Sequence, residues 1–194
     1  MFYFLILPSI IYFTLIATAI ILNIEPLYLI RDYYQNENLK IFSGFISFIG
    51  VIIMYMNSSI CIFTCFVLNK KKYRELLLPI GILSLTIASD DLFMFHERLN
   101  EKLVFLFYIC ILLTILITKK NIFTKLKLNY FYISIFLLGF SIFIDIVQFQ
   151  IPISYDNSQI VEEYAKYMGY FTWLVFWSKN CIYLTRKNQN SKNI

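Results

Sequence analysis

Residues 76–97 read LLLPIGILSLTIASDDLFMFHE, an apolar run that closes on four ionisable side chains. A helix that crosses the hydrocarbon of a bilayer needs about 20 mainly apolar residues, and this run reaches that length only with Asp90 and Asp91 inside it. His96, which is the only histidine of the chain, and Glu97 follow directly. Because ionisable groups are costly within a membrane, each of these four residues is a candidate functional residue.

The composition of the whole chain also indicates a membrane protein. Of the 194 residues, 59% are hydrophobic and 15% are charged, whereas about a quarter of the residues in soluble proteins are charged. The charge-poor runs predict an all-α, polytopic membrane protein with six transmembrane helices in one domain. These spans cover residues 2–22, 41–68, 76–95, 103–118, 130–151 and 161–185, and a disordered cytoplasmic tail is predicted for 186–194.

The first span carries one feature of a cleavable signal peptide. Ala17-Thr18-Ala19 resembles a cleavage site with small residues at its first and third positions. No positively charged segment precedes it, and apolar residues continue after it, so an uncleaved first span is predicted.

Lysine and arginine alternate between loops in the way that orients a membrane protein. Twelve of the 17 lie in the second-to-third loop, the fourth-to-fifth loop and the C-terminal end. Since cytoplasmic loops carry the excess of basic residues, both termini are predicted to face the cytoplasm, in the cell (inner) membrane of a multi-pass protein. The net charge of +5 is largely this topology signal. The lysines lie in short loops between apolar runs, which argues against nucleic acid as a partner.

The acidic residues have the opposite distribution. Glu75 alone of the 12 lies on the predicted inner side, and the other 11 lie in the outer half or the outer loops. With a rise of 1.5 Å per residue, Asp90 and Asp91 lie about 21–23 Å up a slab about 30 Å thick. Asp145 of the fifth span lies about 22 Å up. The third and fifth spans are therefore predicted to bring carboxylates to one depth.

The sixth span adds a cation near this level. Lys166 lies about 27 Å up, and Glu162 and Glu163 lie one turn beyond it. The polar face of each span is expected to turn away from lipid, so these residues should face the third and fifth spans. Depth favours Asp145 and Asp91 as partners of Lys166. A purely structural role, in which such a pair fixes the packing of three helices, remains an alternative.

Helical phase places the ionisable residues of the third span on one side. At 100° per residue, Ser89 and His96 share one line of the helix, and Asp90 and Glu97 share the adjacent line. Ser89 and His96 are two turns apart, too far for a direct hydrogen bond, so a serine-based triad is not indicated. The four cysteines form no Cys-x-x-Cys pattern, and neither a zinc ribbon nor a thioredoxin-type site is indicated.

Two kinds of function suit this cluster. In the first, which is not enzymatic, the outer acidic and histidine site binds or conducts a cation or a proton, or supports a partner membrane protein or a homo-oligomer. Carboxylate oxygens favour a divalent cation such as Mg²⁺, Ca²⁺ or Mn²⁺, and a histidine admits Zn²⁺ or iron. The alternative is a membrane-embedded, metal-dependent hydrolase, in which a metal-activated water attacks a lipid at the outer leaflet.

The string Asp90-Asp91-Leu92-Phe93, followed by His96-Glu97 and later by Glu162-Glu163 and Lys166, resembles a group of small bacterial multi-pass membrane proteins. The resemblance covers the third span and roughly the last two spans. It implies a multi-pass membrane fold, and it implies no activity, because none is assigned to that group.

Overall fold

The computed structural model describes residues 3–30, 43–147 and 154–190, and this part of the chain is helical without strands. The all-α prediction is therefore confirmed there. The helices of the described part are α1 (Tyr3–Ile21), α2 (Pro26–Ile30), α3 (Phe45–Val67), α4 (Lys71–Phe93), α5 (Phe95–Arg98), α6 (Glu101–Thr118), α7 (Lys120–Phe123), α8 (Asn129–Val147) and α9 (Tyr155–Asn190).

Four helices, α3, α4, α6 and α8, are long and apolar enough to cross a membrane. The segment Leu5–Ile21 of α1 is a shorter apolar helix. Within the described residues, these five helices coincide with the first five predicted spans, and their ends differ from the predicted bounds by a few residues. The end of the fifth predicted span, residues 148–151, lies outside the described residues.

The last helix is longer than the sixth predicted span. It covers 36 residues and continues to Asn190, so residues 186–190 are helical where the sequence predicted a disordered tail. One reason is local: the Lys187 ammonium lies 3.3 Å from the Tyr183 hydroxyl, one turn earlier, and Asn188 is buried. Residues 191–194 of the predicted tail lie outside the described residues.

Packing divides the chain into two compact units, of which the first comprises residues 1–50 and 130–173. In this unit α8 and the N-terminal half of α9 approach closely at Gly169, where an added Cβ would lie 2.6 Å from the Leu138 side chain. The Ser134 hydroxyl donates to the Gly169 carbonyl at 2.9 Å. Small residues at a helix contact allow this close approach of backbones.

The second unit comprises residues 51–129 and 174–194. Here α3 and α4 approach at Gly81, where an added Cβ would lie 2.7 Å from the Ile62 side chain. The Ser58 hydroxyl donates to the Gly81 carbonyl at 2.8 Å, and the Asn57 amide donates to the Ser84 hydroxyl at 2.8 Å. α6 contacts α4 and α5 but buries only 6% of its apolar stretch, so most of this helix is left for lipid or for a partner.

Candidate functional site

The predicted third helix does not continue through its ionisable residues. α4 ends at Phe93, and Met94 has φ 54° and ψ 43°, which is the left-handed conformation. The short helix α5 then begins at Phe95 and carries His96. The prediction that His96 and Glu97 follow the helical phase of Ser89 and Asp90 is therefore wrong, because the chain changes direction between the two pairs. The side chain of Glu97 lies outside the described residues.

Asp90 holds the two sides of this break together. One of its carboxylate oxygens, Oδ1, accepts a hydrogen bond from the backbone N–H of His96 at 2.8 Å. The other, Oδ2, lies 3.2 Å from Nδ1 of the His96 imidazole. A carboxylate that accepts an N–H in the first turn of a helix stabilises that turn. The same carboxylate forms an ion pair with the imidazole whenever the imidazole is protonated.

The pair is buried, and α6 covers it with aromatic side chains. Asp90 is 3% exposed, and the His96 side chain is 11% exposed. The ring of Phe105 stacks on the imidazole with centroids 5.8 Å apart. The hydroxyl of Tyr108, one turn further along α6, lies close enough to the Asp90 carboxylate for the two groups to interact. Three elements, α4, α5 and α6, thus contribute to one carboxylate–imidazole–phenol cluster.

Two further residues border this cluster. Asp91 is buried, and it lies close enough to Tyr108 for its charge to act on the phenol. The hydroxyl of Ser89 lies 3.2 Å from the hydroxyl of Tyr55 on α3. Tyr55, Phe105 and Tyr108 were not singled out from the sequence. The i,i+3 spacing of Phe105 and Tyr108, directly after the loop that follows His96, is the pattern that indicates two rings on one face of α6.

The first unit holds a second buried cluster, in the N-terminal half of α9. Lys166 forms an ion pair with Glu163, one turn before it. Glu162 accepts a hydrogen bond from the amide of Gln159 at 2.9 Å. Both glutamates are buried. The ion pair that the structure shows for Lys166 is thus with a residue of its own helix, whereas depth alone favoured Asp145 and Asp91.

α1 packs against this part of α9 with polar side chains. The Tyr12 hydroxyl donates to the Ile160 carbonyl at 2.9 Å, and the hydroxyls of Ser9 and Tyr164 lie 2.8 Å apart. The ring of Tyr12 also meets the ring of Tyr164 edge-on, with centroids 5.1 Å apart. Glu163 and Lys166 therefore lie near the polar contact between α1 and α9, close enough for their charges to act on Tyr12.

Asp145 is half-buried on α8, one turn after the buried Ser141. It belongs to the first unit together with Glu162, Glu163 and Lys166, whereas Asp90, Asp91 and His96 belong to the second. The structure thus brings Asp90 to His96 and Lys166 to Glu163. The sequence also predicts that the residues around Asp90 face those around Lys166, and this stays a prediction.

The described residues give no support to a divalent-cation site. Among them, no group of three or more His, Cys, Asp and Glu side chains is placed to hold a metal ion. Asp90 and His96 alone supply one oxygen donor and one nitrogen donor at close range. The hydrolase alternative depends on the same metal, so it gains no support from this part of the chain either.

A family model described as a domain of unknown function (DUF8692) matches residues 5–179, so the chain belongs to this family. The matched range includes both ionisable clusters and, in whole or in part, all nine helices of the described residues. No curated protein and no solved structure matches the chain.

Proposed function

We propose that this member of the DUF8692 family is an integral membrane protein of six transmembrane helices whose outer half binds a proton at the Asp90–His96 pair. Its termini face the cytoplasm, and the protein resides in the cell (inner) membrane. The observation that carries the proposal is the short contact between a buried carboxylate and the one imidazole of the chain, 3.2 Å apart.

The apolar surface supports the membrane part of the proposal. Large hydrophobic side chains are exposed along α1, α3, α6 and α8, among them Phe63, Phe66, Ile117 and Phe136, each more than two-thirds exposed. Soluble proteins rarely expose contiguous apolar patches larger than a few hundred Å². α9 is the proposed sixth span, since it is 36 residues long and its 12 residues between Lys166 and Lys179 carry no charge.

The chemistry of the cluster suits a proton better than a metal ion. Histidine is the side chain whose ordinary pKa lies near neutral pH, so its charge responds to small changes in its surroundings. In the protonated form, the imidazolium and the Asp90 carboxylate make a neutral pair in a buried site. In the deprotonated form, the carboxylate keeps the backbone N–H of His96 as a donor, with the Tyr108 phenol close by. The carboxylate is therefore stabilised in both states, by the ion pair at 3.2 Å when the imidazole is protonated and by the His96 N–H when it is not.

The proton at this site is exchanged with the outer face. The positive-inside rule places the end of α4 that bears Asp90 away from the cytoplasm. The basic turn at the opposite end of α4, Lys71 to Arg74, lies about 24 Å away along the helix axis. Asp91 and Glu101 lie at the adjacent ends of α4 and α6, on the same proposed outer side as the pair.

Reporter fusions test the architecture. Fusions after Lys72 and after Asn121 should read as cytoplasmic, and a fusion after Asn157 should read as external. A cytoplasmic reading at Asn157 would reverse the orientation and place the Asp90–His96 pair on the inner side.

Nitrogen NMR tests the proton site, because the chain has one histidine and therefore one imidazole signal. With ¹⁵N-labelled histidine in detergent or bilayers, the imidazole of the wild type should deprotonate at a higher pH than that of Asp90→Asn. Asn keeps the acceptor for the His96 N–H but removes the charge that favours the imidazolium. Glu75→Gln, which removes an exposed acid at the far end of α4, is the matched control and should titrate as the wild type does. Identical curves for D90N and the wild type would overturn the proposal.

A further inference from the structure

A groove of about 430 Å³ runs along the surface of the second unit, between α3 and the C-terminal part of α9. The groove is lined by one face of α3, with Ile60 and Thr64, and by one face of α9. On α9 the lining positions follow the spacing of a single helix face and are Ser178, Cys181, Ile182, Thr185 and Arg186. The groove is thus mainly apolar along its length and ends at a guanidinium.

The charges at this end of the unit are mainly positive, and the acidic Glu75 pairs with Lys119. Arg186 is exposed and forms no ion pair with any residue that the structure describes. The next residue, Lys187, lies close enough to the Tyr73 phenol for the two to interact electrostatically, so the last turns of α9 lie beside the basic first turns of α4. That segment of α4 contributes Lys71, Lys72 and Arg74.

From this geometry we infer that the groove binds one anionic phospholipid, with an acyl chain along Ile60 and Ile182 and the phosphate at Arg186. The inference rests on the membrane orientation in the proposed function, which places this end of α9 at the inner leaflet. From Ser178 to Arg186 the groove extends about 12 Å along the helix axis. This length accommodates a headgroup phosphate at Arg186 and the first part of an acyl chain towards Ser178. Basic residues at this level attract the anionic lipids of the cytoplasmic leaflet.

The apolar walls identify a lipid rather than a free phosphate. The hydroxyl of Thr185 donates to the Cys181 carbonyl of its own helix at 2.9 Å, so it does not supply a proton to a phosphate oxygen. A guanidinium can make two parallel hydrogen bonds to a phosphate, but an exposed one alone does not provide an enclosed anion site. Affinity must therefore come from both the buried acyl chain and the charge, which makes the two contributions separately testable.

The test uses the full chain, purified in detergent and mixed with phosphatidylglycerol or phosphatidylcholine at equal concentration. Retained lipid is counted by native mass spectrometry. The wild type should retain phosphatidylglycerol in preference, and Arg186→Gln should weaken that preference about fivefold, the effect of one basic residue near an anionic lipid. Lys127→Gln, the same charge change at an exposed position outside the groove, is the control. Equal preference in R186Q and K127Q would overturn the inference.

A second pair of variants tests the acyl chain. Ile182→Trp fills the groove and should lower retention of both lipids at least severalfold, whereas Ile117→Trp, at an exposed apolar position on α6, should leave retention unchanged. If glycerol phosphate, the headgroup without chains, displaces phosphatidylglycerol from the wild type at equal concentration, the site binds a phosphate and the lipid inference is wrong. R186Q should leave the His96 titration unchanged. The lipid inference can therefore fail while the proposed proton site stands, and the two outcomes are distinguishable.

Discussion

The two buried clusters of charge are built in different ways. Glu163 and Lys166 pair within one uninterrupted turn of α9. Asp90 and His96 pair across a break in the chain, where Met94 adopts the left-handed conformation and a new helix begins. One pair therefore needs only the regular helix that carries it. The other needs three elements and a strained residue to bring its members together.

The difference separates a fixed ion pair from a titratable one. Lysine and glutamate ordinarily keep their charges across the range around neutral pH, so their pair stabilises α9 without responding to that range. The net charge of a carboxylate–imidazole pair, in contrast, changes in the range around neutral pH, because the imidazole gains or loses its proton there. The left-handed conformation costs a non-glycine residue roughly 1–2 kcal/mol, and the hydrogen bond from the His96 N–H to Asp90 offsets part of that cost. Strain of this kind is typical of functional segments.

The largest effect is expected in the fixed pair. Lys166→Met leaves Glu163 buried without its cation and should lower the free energy of unfolding by about 3–5 kcal/mol. The double variant K166M/E163M should lose less, because no uncompensated charge remains. Unfolding in mixed detergent measures both, and Lys127→Met at an exposed position serves as the control. A double variant that loses the sum of the two single variants would show that Glu163 and Lys166 act independently.

The next effect concerns the contact between α8 and α9, one turn after Lys166. Gly169→Ala places a methyl group 2.6 Å from the Leu138 side chain and 3.3 Å from the Leu138 backbone nitrogen, so α8 and α9 must move apart. Overpacking of this kind costs about 1–3 kcal/mol. Gly139→Ala, on α8 with no atom within 4 Å of the new Cβ, should be neutral or stabilising. If both alanine variants unfold alike, the close contact at Gly169 does not stabilise the unit.

The smallest effect is expected at the chain break. Asp90→Ala removes the acceptor for the His96 N–H and should cost about 0.5–2 kcal/mol, the usual range for the loss of a helix cap. D90N keeps an acceptor at this position and should cost less. Hydrogen exchange of the His96 amide reports the same difference locally: fast in D90A, slow in D90N and in the wild type. Slow exchange in D90A would mean that another group holds the turn.

Much of the fold follows from hydropathy. Runs with at most one charged residue predict where α1, α3, α6 and α8 lie, since a stretch of about 20 apolar residues is typical of a membrane span. The break after Phe93 could not be predicted in this way. Neither glycine nor asparagine, the residues that favour the left-handed conformation, stands at position 94. The break is stabilised by the carboxylate of Asp90, which accepts a hydrogen bond from the His96 N–H. No sequence pattern indicates that contact.

The candidate site was predictable in its residue types but not in its pairings. Asp90 and His96, both candidates from the sequence, lie together where α4 ends, and Asp90 is buried there. Depth along straight helices did not favour Glu163 as the partner of Lys166, because depth ignores the preference of oppositely charged residues three or four positions apart for each other. Tyr108 escaped notice because a tyrosine on an apolar helix has no distinctive pattern in a chain with 15 of them.

The central claim is that the Asp90–His96 pair binds a proton from the outer face of the membrane. Solid-state ¹⁵N NMR of the single histidine tests it in proteoliposomes whose lumen encloses the C terminus, with the external pH stepped from 8 to 5 while the lumen is buffered. The account predicts that the imidazole signal changes from the neutral to the protonated form when the external pH falls. The signal should not change when the same pH step is applied to the lumen. A signal that follows the lumen, or that follows neither side, would contradict it.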